Sequence, residues 1–364
     1  MQGSNKRIDY LDVMRSVLMM LGIVLHTAHL YNPSQVWLIY APENHPFFNY
    51  LIKAIATFRM PAFLVVSGFF CAMFVIRYGN AHFLRSRLKR ILLPLLVCAI
   101  SLNVLQAVLL HHFGWITGDV SSYLLSGGWV QHLWFLLDLF IFVVLLSLAY
   151  SMAPLRRLGQ RLNTVAVKWL PLPLFITLLP LYGLLLVTLN RLGLPMYHSW
   201  LGITDLYEVL SNLPFFVFGL MLYHNPGWLQ QFSKLNLVYG MLALLLLYGL
   251  NYLVQQGSGL IWQTLTLYTA LFIRWICVAL CFSLFNLAVT RSHQYWRFLS
   301  EASYSVYLFH HVIVIGLGLL LINAGLPPLL GFCLIVGTTL AITLAIHKYL
   351  IAPNKILRLL FNGK

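Results

Sequence analysis

One apolar run near the start of the chain carries ionisable residues at helical spacing: Asp12, Arg15, His26 and His29, with Gly22 among them. At 100° per residue they lie at about +60°, 0°, +20°, −40° and, for Gly22, −20° relative to Arg15, so a helix here bears a single polar stripe. Arg15 and His26 are about 16 Å apart along such a helix, which puts them at different depths. A histidine so placed is a candidate general base and the arginine a candidate anion site. Gly22 between them would leave room for a slender chain against the backbone. The structural alternatives are an i, i+3 ion pair of Asp12 with Arg15 and an interhelical hydrogen bond for His26.

Three further segments carry such groups. In Phe58-Arg59-Met60-Pro61, leading to Ser67-Gly68-Phe69, Pro61 predicts a kink just below Arg59. Arg59 should lie at roughly the depth of His26, where it could bind an anion or steady an oxyanion, unless it snorkels outward beside Lys53. Gln131-His132-Leu133-Trp134 precedes Asp138, a polar entrance above an acid, although His132 and Trp134 are also ordinary interfacial residues. Ser303, Tyr307 and either His310 or His311 share a helix face, a polar ribbon that could equally be interhelical glue. Arg274 has no motif around it, and Asp138 or Glu301 is its expected partner. Arg85, Arg87, Lys89 and Arg90 form a basic cluster suited to anionic lipid headgroups or to the phosphates of a cofactor, although membrane topology alone explains it. There is no phosphate loop, dinucleotide fingerprint, His-Glu-x-x-His or Gly-x-Ser-x-Gly elbow. The paired histidines lack carboxylate and thiolate company, so no metal is expected.

The elements that must position these groups are membrane helices. The 364 residues are 60% hydrophobic and 9% charged, with a mean hydropathy of +0.84, too little polar surface for a water-soluble globule. Long apolar runs read as ten spans, 12–31, 49–76, 91–112, 132–151, 170–190, 209–223, 235–255, 262–289, 301–322 and 328–349. The expected fold is an all-α polytopic bundle forming one domain over 1–364. A net charge of +15 would suggest nucleic acid in a soluble protein. Here, of 23 lysines and arginines, only Lys53 and Arg191 fall at the outer face and Arg15, Arg59 and Arg274 within spans. The rest mark one side, which predicts both termini in the cytoplasm, no nucleic-acid partner and the lipid bilayer as surroundings. The outer loops 32–48, 113–131 and 191–208 carry Trp37, Trp115, Trp129 and Trp200, read as interfacial anchors in preference to a sugar-stacking platform. All five cysteines lie in apolar stretches, so no disulfide is expected. The first helix reads as retained rather than cleaved.

Arg15-x10-His26, Phe58-Arg59-Met60-Pro61 with Ser67-Gly68-Phe69, His132 to Leu136 and Ser303 to His310 occur in the order and spacing of the acyltransferase-3 family of membrane acyltransferases, which the chain resembles throughout. Tyr10-Leu11-Asp12 through Gly22-Ile23, the pair His310-His311 and the ending Leu359 to Lys364 resemble those members held to succinylate osmoregulated periplasmic glucans. The resemblance implies a multi-pass enzyme of the bacterial inner membrane. It would move an acyl group, succinyl or acetyl, from cytoplasmic acyl-CoA to hydroxyls of a periplasmic glucan, with no permanently bound cofactor. By that pattern His26 matches the essential histidine and Arg15 the arginine near the donor. On this footing His26 and Arg59 are catalytic and Arg15, Arg85, Arg87 and Arg90 hold the donor. Gly22, His29, Ser67, His132, Trp134, Ser303, Tyr307 and His310 line the substrates. Glucan synthesis or export proteins would deliver the acceptor. The alternatives are an O-acetyltransferase of lipopolysaccharide or another surface glycan, and a transporter, for which intramembrane Arg and His are also natural.

Overall fold

The structure is a computed structural model that describes residues 9–200, 204–290 and 293–364. Lys6, Arg7 and Arg291, which enter the charge argument, lie outside the described residues. Ten helices are long and apolar enough to cross a membrane: α1 (Asp9–Leu30), α2 (Phe47–Tyr78), α3 (Asn80–His112), α4 (Val120–Ser151), α6 (Leu172–Arg191), α7 (Leu206–His224), α9 (Leu237–Val254), α10 (Leu260–Ala288), α11 (Gln294–Leu321) and α12 (Pro328–Ile351). The chain is a multi-pass membrane protein. Leu242, Leu245, Leu246 and Ile261 face outward as a lipid-facing surface requires, since among the described residues nothing else covers them.

The ends of several helices differ from the sequence reading. The fourth span begins at Val120, inside the stretch read as loop, because the Asp119 carboxylate caps it by accepting from the backbone N–H of Ser122. It then breaks at Gly127, whose φ of 109° only glycine adopts readily, and Gln131 is also left-handed at φ 45°. That break sets the direction from which His132 enters the bundle. α2 continues through Pro61 over its full length. Between α4 and α6, the stretch read as a connecting segment folds as helix α5 (Ala153–Trp169). It buries none of its residues, and sets Leu155, Leu158, Leu162, Val165 and Trp169 beside Arg156, Arg157, Arg161 and Lys168, the composition of a helix lying in the membrane interface. A short helix α8 (Pro226–Phe232), helix α13 (Lys355–Asn362) and the two-residue strands β1 (Ser199–Trp200) and β2 (Thr204–Asp205) complete the described elements. All five cysteines are unpaired.

α1 is the axial helix, packed against α2, α10, α11 and α12. Its first half joins one apolar core, with Leu11, Met14 and Leu18 against Phe63, Phe135 and Leu308. Its second half joins another, with Ile23, Ala28 and Leu30 against Val314, Ile315 and the loop residue Ile39. α2 is fixed against α7 by mutual glycines. A Cβ on Gly68 would strike the Phe216 carbonyl oxygen, and one on Gly219 the Val65 carbonyl oxygen. Neither backbone can yield, so Gly219→Ala is expected to cost at least the roughly 1–3 kcal/mol of overpacking and to lower the melting temperature of the purified protein. An unchanged melting temperature would show that the two helices are free to part.

Candidate functional site

At the Arg15 end of the bundle a cleft enclosing about 930 Å³ opens between α1, α2, α3, α4 and α11. Its cationic lining is Arg15, Arg87, Arg90 and Lys364, with Glu301 as the one carboxylate among the lining residues. Arg15 pairs with Asp12 at 3.4 Å and lies 5.3 Å from the centre of the Phe70 ring. Arg87 stacks over Phe74 at 5.3 Å and Phe83 at 5.7 Å, held flat by aromatic faces. Deeper in, the wall turns apolar, with Met19, Phe63, Phe135 and Leu136, relieved by Ser67 and Ser303. Arg85 is exposed and does not line this cleft, because it stands two residues from Arg87 and so points away from it around the helix.

One helical turn beyond this apolar floor, three helices each contribute a residue. Gly22 follows Met19 on α1, Arg59 precedes Phe63 on α2, and His310 lies above Ser303 and Tyr307 on α11. A Cβ on Gly22 would lie 2.9 Å from Arg59 Nη1 and 2.9 Å from His310 Nε2. Where the sequence reading has Gly22 admit a slender substrate chain, the structure fills that room with a guanidinium and an imidazole. Arg59 is 7% exposed, so it does not snorkel. Its guanidinium meets α1 at Gly22, a turn short of His26 rather than level with it.

His26 stands in a cluster of rings. Its centroid is 5.3 Å from His310, 4.7 Å from His311 and 6.5 Å from His29. His132 stacks on His311 at 4.5 Å and approaches His310 at 5.2 Å. Trp37 covers the far side, 5.8 Å from both His26 and His29 and 5.5 Å from His311. Residues 32–48 thus do more than anchor at an interface, since this tryptophan closes the histidine cluster. Among the described residues no three His, Cys, Asp or Glu side chains are arranged to hold a metal ion.

One hydrogen bond fixes a ring proton. His310 Nδ1 lies 2.6 Å from the Tyr307 carbonyl oxygen, which can only accept, so Nδ1 carries a proton and in the neutral ring Nε2 carries the lone pair. That Nε2 is buried with no hydrogen-bond partner among the described residues, as are His26 Nδ1, Arg59 Nε and both ring nitrogens of His132. Burying unpaired polar atoms costs stability, and a concentration of them marks where a substrate would supply the missing partners. His311 Nδ1 is hydrogen-bonded to the Gln106 side-chain amide at 2.6 Å, and the Tyr307 hydroxyl donates to the His132 carbonyl at 2.7 Å.

The structure therefore brings together Arg15, Arg87, Arg90, Ser67 and Ser303 at the cleft, and Gly22, Arg59, His26, His29, His132, Tyr307 and His310 beyond it. Trp134 is half-buried among core residues and is not in the cleft lining. Asp138 is fully buried and accepts from Asn212 Nδ2 at 3.2 Å, while Arg274 is exposed, so the expected Arg274–Asp138 pair does not form. Sequence reasoning missed Trp37, Gln106 and Lys364 and left His311 as an alternative to His310. The adjacent pair His310-His311 in an apolar helix was the available signal, because neighbours 100° apart are both buried only where α11 has protein on two sides.

A sequence model of the acyltransferase-3 family, described as an acyltransferase domain, matches residues 8–348. The chain is 25% identical over 369 residues to glucans biosynthesis protein C of Salmonella gallinarum (strain 287/91), covering 98% of this chain and 94% of the relative. The proteins of the same name from Salmonella typhi and Salmonella typhimurium match at the same identity and coverage. No solved structure matches the chain. With the family match running from the start of α1 almost to the end of α12, over the histidine cluster and most of the cleft lining, the chain belongs to the acyltransferase-3 family of membrane acyltransferases.

Proposed function

We propose that the chain takes a succinyl group from coenzyme A arriving at the Arg15 end and places it on hydroxyls of a periplasmic glucan reaching the Trp37 end, with both termini cytoplasmic in a bacterial inner membrane. The observation that carries this reading is the stacking of the two sites along α1: a cation-lined cleft whose apolar floor stops one turn short of Gly22, Arg59 and His310, with His26 a turn further on. A phosphorylated, long-armed thioester suits such a site, its anionic end at the cations and its arm along Met19 and Phe63. The glucan acceptor follows from the name shared by the Salmonella relatives, and the succinyl donor from the sequence resemblance.

In this reading His26 accepts the proton of the acceptor hydroxyl, whose oxygen attacks the thioester carbon. Arg59 stabilises the tetrahedral oxyanion from its buried position beside Gly22. The carbon–sulfur bond then breaks, and the thiolate leaves toward the cationic cleft, taking up the proton that His26 held. His310, its proton fixed on Nδ1, presents an acceptor nitrogen and can hold a substrate N–H or O–H.

Mass spectrometry of periplasmic glucans from a deletion strain tests the reading as a whole. Loss of succinyl esters supports it, unchanged esters overturn it, and loss of acetyl from a surface glycan favours the O-acetyltransferase. Arg15 tests the donor end by itself. Arg15→Ala is expected to raise the donor KM by the roughly 1.5–3 kcal/mol of a charge-assisted bond, about 10–100-fold, with acceptor affinity unchanged. A donor KM equal to wild type would remove Arg15 from the donor site.

A further inference from the structure

Helix α13 and the two residues after it lie beyond the stretch that the family model matches, yet they form part of the cleft wall. The helix ends in a tight cap. Gly363 is left-handed at φ 62°, its N–H donates to the Leu359 carbonyl at 2.9 Å, and the Lys364 N–H donates to the Arg358 carbonyl at 3.4 Å. This is a position where only glycine fits for a second reason: a Cβ would strike the Lys89 carbonyl oxygen and lie 2.6 Å from Arg90 Cα. The turn is therefore pressed against the backbone that carries Arg90, whose own carbonyl accepts from the Tyr304 hydroxyl at 2.8 Å.

A second tie holds the tail from within. The Ser305 hydroxyl donates to Asn362 Oδ1 at 3.2 Å and is itself 2.8 Å from His347 Nδ1, and all three side chains are buried. From this anchored turn Lys364 enters the cleft lining beside Arg15, Arg87 and Arg90, with Glu301 the single carboxylate among the lining residues. Four cations against Glu301 and the Asp12 carboxylate that pairs with Arg15 still leave an excess of positive charge that a polyanion would neutralise. Partial desolvation and the neighbouring Arg90 push the Lys364 ammonium below the usual lysine range, against the opposing pull of Glu301.

Resting on the donor reading above, we propose that Lys364 is a phosphate ligand of the donor's nucleotide end and that Gly363 is the residue that seats it there. The group recognised is a phosphate, which could belong to a nucleotide or to a lipid headgroup, and the affinity of the protein for different probes separates the two.

The test is equilibrium binding of coenzyme A, and of pantetheine as the phosphate-free probe, to purified full-length wild type, Lys364→Ala, Lys364→Arg and Gly363→Ala in detergent. Lys364→Ala is expected to weaken coenzyme A about 10-fold or more and to leave pantetheine unchanged, with Lys364→Arg close to wild type. Gly363→Ala should weaken coenzyme A in the same direction, because the turn can no longer close on Arg90. Lys364→Ala carries the decision, since it alters no packed residue. Coenzyme A binding to Lys364→Ala at wild-type affinity would overturn the proposal, as would an equal loss for pantetheine. So would an unchanged affinity for coenzyme A accompanied by loss of bound anionic lipid in native mass spectrometry, which would assign the phosphate to a headgroup. Failure of wild type to bind coenzyme A takes down the donor reading and this proposal together, and is distinguished from the other outcomes by that control.

Discussion

His26→Ala is expected to abolish acyl transfer, lowering kcat at least the roughly 100-fold that removal of a general base costs, while donor binding stays at the wild-type level. The separation of effects follows from geometry. The cations that would hold the donor line a cleft whose floor ends two turns before His26, so truncating the imidazole leaves that cleft intact. The ring has His310, His311 and Trp37 within 6 Å. Its loss opens a cavity, and donor affinity therefore serves as the check on folding. His29→Ala should be milder, since His29 lies a turn further from the cleft and contacts Trp37 rather than the Gly22 junction. Turnover of His26→Ala close to wild type would reduce this residue to packing.

Arg59 should fail by the same rate criterion and for a different reason. Arg59→Ala removes the buried guanidinium beside Gly22 and is expected to lower kcat by about 10²–10³-fold, the range measured when an oxyanion donor is deleted. Arg59→Lys should recover little of this, because a point charge on a flexible stem lacks the planar fork that spans the space between α1 and α11. Full activity of Arg59→Lys would sink the role assigned to the fork. An unchanged donor affinity in both variants, set against the raised donor KM of Arg15→Ala, separates the reaction centre from the donor cleft.

Helical periodicity made much of this site legible, for a definite reason. The stripe on α1 fixes which face of one helix is polar, and Arg15, Gly22 and His26 do turn toward protein. The ribbon on α11 likewise carries Ser303 into the cleft and Tyr307 and His310 into the cluster. Periodicity says nothing of which faces meet. Gln106 and His311 touch across 205 residues of sequence, and Trp37 reaches the histidines from a loop with no repeat to give its direction away. Arg85 shows the opposite error: four basic residues within six read as one cluster, whereas their angular positions divide them between the cleft and the surface. Lys364 was invisible because its place depends on the left-handed turn at Gly363 and on Asn362 finding Ser305.

The two turns of packed groups between the cleft floor and His26 also bear on the energetics of the membrane itself. A bilayer that stores an ion gradient tolerates no continuous water column, and a protein that passed acyl groups through it, as proposed above, would have to remain an electrical insulator. Between the cleft and His26, Arg59 and His310 are drawn in against the bare backbone of Gly22. A fixed positive charge in a dry constriction repels hydronium and metal cations far more strongly than the same charge in water. On the proposed reading the group assigned to the reaction centre would also serve as the seal, and neutralising Arg59 would put the proton-tightness of the membrane at risk along with turnover.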